Sequence, residues 1–156
     1  MRRYIALIAV LFLMAGCAGL SAPNLQGVSC PDTGFVHGYD QVETISADGT
    51  LYNAKLVDLN GGCSFPQKNT VRVRAVITAV AELLDDQEKT SFDLPVVVSV
   101  LDPAGEIVTR RTQILSLPVD EGYGATQQQI FETVSVSDLK QAGDYRIVIG
   151  LPQPSL

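Results

Sequence analysis

Val71-Arg72-Val73-Arg74-Ala75-Val76-Ile77-Thr78-Ala79-Val80 is the stretch that decides the fold. Its odd positions are apolar throughout, and its even positions begin with two arginines. Successive side chains on a strand point to opposite faces, so this period of two describes a β-strand with one face in a core and the other wet at its start. Leu94-Pro95-Val96-Val97-Val98-Ser99-Val100-Leu101, rich in β-branched residues, reads as a second strand. Asp102-Pro103-Ala104-Gly105 then turns the chain into a third over 106–114, because proline presets φ and glycine supplies a positive one. Further strands over 39–45, 54–59, 129–136 and 145–149 bring the number to about seven, with turn signals between them, which is the pattern of an antiparallel β-sandwich. Residues 81–88 read as a polar loop with one helical turn, and 116–126 as a long, irregular, acidic loop.

The start of the chain sets the compartment. Arg2 and Arg3 precede an almost unbroken apolar run from Tyr4 to Met14, followed by the small residues Ala15 and Gly16. That is the grammar of an export signal, and the run is shorter than the roughly 20 apolar residues a membrane-crossing helix needs. Leu13-Met14-Ala15-Gly16-Cys17 resembles the lipobox of bacterial lipoproteins. The resemblance implies cleavage before Cys17, thioether lipidation of Cys17 and acylation of the new amino terminus. Such an anchor is effectively permanent, since each buried methylene contributes about 0.8 kcal/mol. Ala18, where inner-membrane lipoproteins carry Asp, implies the outer membrane, on its periplasmic side.

The expected organisation is therefore a signal peptide over 1–16, a lipidated flexible tether over 17–27 whose small polar residues have nothing to bury, and one domain over 28–156. With Cys17 lipidated, Cys30 and Cys63 remain in an oxidising compartment, and a disulfide is the simplest pairing. A zinc site fits poorly, for the two thiols lack a Cys-x-x-Cys spacing and His37 is the only histidine. Loss of Arg2 and Arg3 with the signal takes the formal net charge from −6 to −8. An acidic chain whose largest cationic run is Arg110-Arg111 disfavours both nucleic acid as a partner and electrostatic adhesion to anionic lipid. The membrane would be engaged through the lipid.

Gly143-Asp144-Tyr145 is similar to the Gly-x-Tyr corner before a late strand of immunoglobulin-like domains, which implies a Tyr145 hydroxyl tied to upstream backbone. Ile147 stands where antibody domains have cysteine, and the chain has no tryptophan, so the antibody-type core is excluded. The expectation is an immunoglobulin-like or fibronectin-like sandwich. Taken together, the lipobox, Gly61-Gly62-Cys63-Ser64-Phe65 and the segment from Leu94 to Ile107 resemble a group of proteobacterial envelope lipoproteins with no assigned activity. That resemblance implies fold and location and carries no chemistry.

A search for chemistry nominates little. His37 has no Gly-x-Ser-x-Gly elbow or Ser-x-x-Lys to serve. The acidic groups Asp85-Asp86 with Glu88, and Asp120-Glu121, read as solvated charge. They lack the controlled separation of a glycosidase pair and the Asp-x-Asp-x-Asp-Gly spacing of a calcium loop. Asn60-Gly61-Gly62-Cys63 lacks the Lys of a phosphate-binding loop and reads as a tight turn beside the disulfide. Gly122-Tyr123-Gly124 is either a displayed aromatic, hence a candidate partner-binding loop, or a plug over the end of the sandwich. No cofactor or catalytic residue is expected. The leading expectation is a non-catalytic, lipid-anchored accessory module of an envelope assembly. The alternative is a periplasmic glycan-binding module using Tyr123 and Tyr39 to hold peptidoglycan or polysaccharide.

Overall fold

The computed structural model describes residues 25–85 and 88–153, so the signal segment, Cys17 and Asp86 lie outside the described residues. The fold is all-β. Among the described residues eight strands follow in order: β1 (Asp32–Phe35), β2 (Gln41–Ile45), β3 (Leu51–Gln67), β4 (Thr70–Leu83), β5 (Ser91–Leu101), β6 (Ile107–Asp120), β7 (Tyr123–Ser135) and β8 (Arg146–Gly150). A short 3-10 helix, Leu139–Asp144, precedes β8. The strands form one sheet in the order β1-β8-β5-β6-β7-β4-β3-β2, curled into a half-barrel.

Strand β4 follows the expected alternation. Val71, Val73, Ala75, Ile77 and Ala79 are buried, while Arg72 and Arg74 face solvent. Across the core stand Phe92, Leu94, Val96, Val98 and Val100 of β5. Each fully buried valine or leucine side chain contributes about 1.5–3 kcal/mol by leaving water, and Leu56, Leu115, Leu117, Ile147 and Ile149 of the other strands complete the same core. The Asp102 turn also forms as expected: Asp102 Oδ1 accepts from the backbone N–H of Ala104 and of Glu106, both at 2.9 Å, and Gly105 has φ 84°.

The curl originates between β6 and β7, where residues 116–126 were expected to form an irregular loop. They form a tight hairpin instead, with Glu121 (φ 49°) and Gly122 (φ 84°) both left-handed at its tip, as a two-residue primed turn requires. Pairing stops after Val119↔Gly124 and Asp120↔Tyr123, and the strands part toward opposite flanks of the core. Side chains span the parting. Gln128 Oε1 accepts from Ser116 N–H at 3.3 Å, and the buried Glu132 carboxylate pairs with Arg111 at 2.5 Å, while Arg111 also donates to the Phe131 carbonyl.

The opposite side is closed by one N-terminal segment. β1 lies parallel to β8 (Asp32↔Arg146 to Phe35↔Ile149), and Val36 N–H donates to Ile149 O at 2.9 Å. The chain turns through Gly38 (φ 78°), and β2 then pairs antiparallel with β3. The sheet of the described residues is therefore mixed and eight-stranded, which corrects the antiparallel expectation of about seven strands; β1, four residues containing Gly34, carries no period in the sequence. Residues 81–88 were expected to be a loop with a helical turn, but β4 continues through them to Leu83. No hydroxyl hydrogen bond from Tyr145 occurs among the described residues; its backbone N–H donates to Ala142 O instead.

Cys30 and Cys63 form the expected disulfide, with Cα atoms 5.6 Å apart, stapling the entry to β1 onto β3. The glycines beside it are not a turn. Gly61 lies inside β3 opposite Ala75, and a Cβ there would come within 2.6 Å of Thr33 Oγ1. Glycine is required because β1 crosses close to β3. Replacing Gly61 by Ala is expected to cost about 1–3 kcal/mol through overpacking, and Thr33→Ala in the same chain should restore most of that loss in urea unfolding.

Candidate interaction surface

The titratable residues nominated from sequence do not converge. His37 is exposed in the turn between β1 and β2. Asp85 Oδ1 accepts from Leu51 N–H at 2.9 Å, a structural cap on β3, and Glu88, Asp120 and Glu121 are exposed. Among the described residues no group of three or more His, Cys, Asp or Glu is placed to hold a metal ion.

Tyr123 is displayed, not a plug: it is 64% exposed, and its hydroxyl donates to Glu82 Oε1 at 2.7 Å across the β4–β7 pair. That hydrogen bond to a carboxylate, with its negative charge, pushes the phenol pKa up. The ring lines a shallow cleft with Gln41, Asn53, Lys55 and Val80. Tyr39, also exposed, lines a different cleft on the flank formed by β1, β8, β5 and β6. The two tyrosines thus make no common stacking platform.

The cleft at Tyr39 has a volume of ≈ 440 Å³ and is walled by Val36, Val97, Leu101, Ile107 and Val148. Its origin is the register of three strands: Ser99 of β5 lies opposite Arg110 of β6 on one side and Val148 of β8 on the other, so the same outward face carries Val97, Leu101 and Val148. β6 extends the apolar surface, with Ile107, Val108 and Ile114 each at least half exposed (56, 54 and 50%). Among the described residues, no strand pairs with the second side of β6 from Ile107 to Pro118. An apolar face beside a free strand edge is the geometry at which proteins bind one another. The signal in the sequence was the run Val96-Val97-Val98, apolar on both faces, which marks a strand covered on both sides.

A polar latch stands at the other end of the molecule. Lys89 Nζ meets Asp48 Oδ2 at 2.6 Å and also donates to Thr50 Oγ1, while Ser46 Oγ donates to Asp48. Lys89 first, and Ser46 next, hold the Asp48 carboxyl well below the usual carboxylate range. Its contribution is therefore complete above that range and fades only as pH falls through the depressed value. The latch joins the β2–β3 turn to the segment entering β5.

Comparison with protein-family models, with curated proteins and with solved structures finds no match to this chain.

Two outcomes follow from the geometry. Ile107→Ser, Val108→Ser and Ile114→Ser should each leave stability within about 0.5 kcal/mol of the parent. Leu115→Ala, one residue away but fully buried, should cost about 2–5 kcal/mol in the same denaturation series. Lys89→Met should raise the Asp48 pKa part of the way toward the usual carboxylate range, since Ser46 and Thr50 still donate to it, as read by NMR of its carboxyl carbon.

Proposed function

We propose that this chain is a non-catalytic, lipid-anchored envelope protein whose domain docks on another protein through the outer face of β5, β6 and β8. The observation that carries the reading is the apolar cleft of Val36, Val97, Leu101, Ile107 and Val148 on the outer face, beside a stretch of β6 that no second strand pairs among the described residues. A strand added there would find the backbone donors and acceptors of β6 over Ile107 to Arg110, before the Arg111 bridge to β7, with the apolar cleft beside it, the mode in which extended peptides join sheet edges. The separation of Tyr39 from Tyr123 weighs against the alternative of a glycan-binding module. The lipobox at Leu13 to Cys17 supports attachment to the outer membrane on its periplasmic side, as in the envelope lipoproteins the sequence resembles.

The finer fold assignment belongs to the same proposal. Two flanks of four strands face each other across one core, with β6–β7 joining them on one side and the segment from β1 to β2 on the other. This arrangement supports an immunoglobulin-like or fibronectin-like sandwich.

The test is photo-crosslinking in cells, with benzoylphenylalanine at Val108 or Ile114 and, as a control, at Gln129 on the other flank. A discrete adduct with one envelope protein is expected from the first two positions and not from the third; equal adducts from all three would refute the docking face. Cys17→Ser is expected to release the protein from membranes, and unchanged attachment would refute the anchor.

A further inference from the structure

The two ends of the half-barrel differ in charge. Val136 N–H donates to Asn69 O at 2.9 Å, so the start of β4, the end of β7 and the 3-10 helix share one end. Lys68, Arg72, Arg74, Lys140 and Arg146 lie there. Where β4 finishes at Leu83 and β7 begins at Tyr123, carboxylates predominate instead: Glu82, Asp85, Glu88, Asp120, Glu121 and Asp48, with Lys55 and Lys89 among them. Asp32, Asp138 and Asp144 occupy the first end as well. Even so, among the described residues no carboxylate lies within ion-pair distance of Arg72 or Arg74.

Those two arginines shape a cleft of ≈ 370 Å³ with Gly62, Cys63, Ser64 and Phe131. The Arg72 guanidinium carbon sits 4.7 Å from the centroid of the Phe131 ring, which holds a long side chain in place and leaves its in-plane N–H donors uncommitted to any carboxylate. Arg74 lies opposite Phe131 on one side and Gly62 on the other, and the space a Gly62 side chain would fill is open. The floor is thus free for a group that two guanidinium forks can grip, and phosphate oxygens match that geometry.

The chain toward Cys17 leaves from the same end of the molecule, on the other face of β3: Cys63 shares the inner face with Val73, opposite the outward Arg72 and Arg74. Cys63 is bonded to Cys30, and the segment from Cys17 to Cys30 reaches about 45 Å at most. We infer that the cleft of Arg72, Arg74 and Phe131 is a docking site for the phosphates of anionic phospholipids, which stands the tethered domain on its membrane with the acidic end away from the bilayer. The inference rests on the proposed lipid attachment at Cys17. An untethered domain of this net charge would be repelled by an anionic surface; a tether supplies the local concentration that lets a small cationic patch decide orientation.

The experiment uses the protein as isolated from membranes, carrying Asp120→Cys labelled with a donor fluorophore. It is reconstituted into vesicles of phosphatidylcholine alone or with phosphatidylglycerol, both containing an acceptor-labelled lipid. Energy transfer is expected to be at least twofold lower in the phosphatidylglycerol vesicles, because the Asp120 end stands away from the surface. Arg72→Gln with Arg74→Gln, or 0.5 M NaCl on the parent protein, should raise transfer to the phosphatidylcholine value. Equal transfer in both membranes, or insensitivity to both the double variant and salt, with the protein still sedimenting with the vesicles, overturns the docking site and leaves the anchor intact. A protein that does not sediment with vesicles at all overturns the anchor and the inference together.

Discussion

Every other feature of the architecture depends on the early end of pairing between β6 and β7. A sheet that kept its ladder from Val119 and Asp120 onward would stay open and leave its apolar face in water. By parting after two residue pairs, the strands carry β5 and β8 to one side of the core and β4 and β3 to the other. The parting strips two strands of half their backbone partners. Gln128 and the Arg111–Glu132 pair replace some of them with side-chain atoms, which is why polar groups point inward on β7 at positions that would otherwise be apolar.

The opposite side faces the same difficulty and meets it by other means. β8 and β3 would both end in bare edges there, and the single segment from Asp32 to Ile45 covers the two in turn. So short a β1 has little stability of its own. The Cys30–Cys63 bond and the close crossing over Gly61 hold it against β3, and Leu56 N–H reaching Asp40 O at 2.8 Å fixes the turn between its two halves. The disulfide is therefore part of how the sheet is closed, not merely an addition to a finished fold.

This explains which parts of the molecule were legible in the sequence. The inner face of β4 could be read residue by residue, because burial on one side imposes a period that nothing else produces. The disulfide followed from counting cysteines once Cys17 was set aside. The β6–β7 hairpin was not legible, since Pro118, Gly122 and Gly124 read as loop. Pro118 is tolerated because Val119 N–H donates to Thr90 O across β5, so the alternate position, Pro118, directs its missing donor toward the parting, where no ladder exists. Pro95 sits in β5 beyond Val97, the partner of the last β8 residue, Gly150, so no β8 ladder is interrupted there. In each case the residue that obscured the strand is permitted by a neighbour distant in sequence. The apolar face at Tyr39 was hidden for a related reason: Val97 and Val98 are the same residue type on opposite faces of one strand, and only the partners across the core separate them.

The outer faces of the two flanks both mix polar and apolar groups, in different arrangements. On β4 and β7 the outward positions include Arg72, Arg74, Gln127, Gln129 and Thr133, with Phe131 under an arginine at one end and Val80 and Tyr123 exposed toward the other. On β5, β6 and β8 they include Val97, Leu101, Ile114 and Val148, so that surface gains from being covered. Since β6 and β7 are joined at one hairpin and bridged by Arg111 and Glu132, the two faces are held at a fixed relation to each other and to the chain leaving Cys30. A rotation that presented one face to a surface would carry the other to a predictable position. In the tethered domain proposed above, that rigid relation would let the arginine cleft set orientation while the outer face of β5, β6 and β8 stays accessible to a partner.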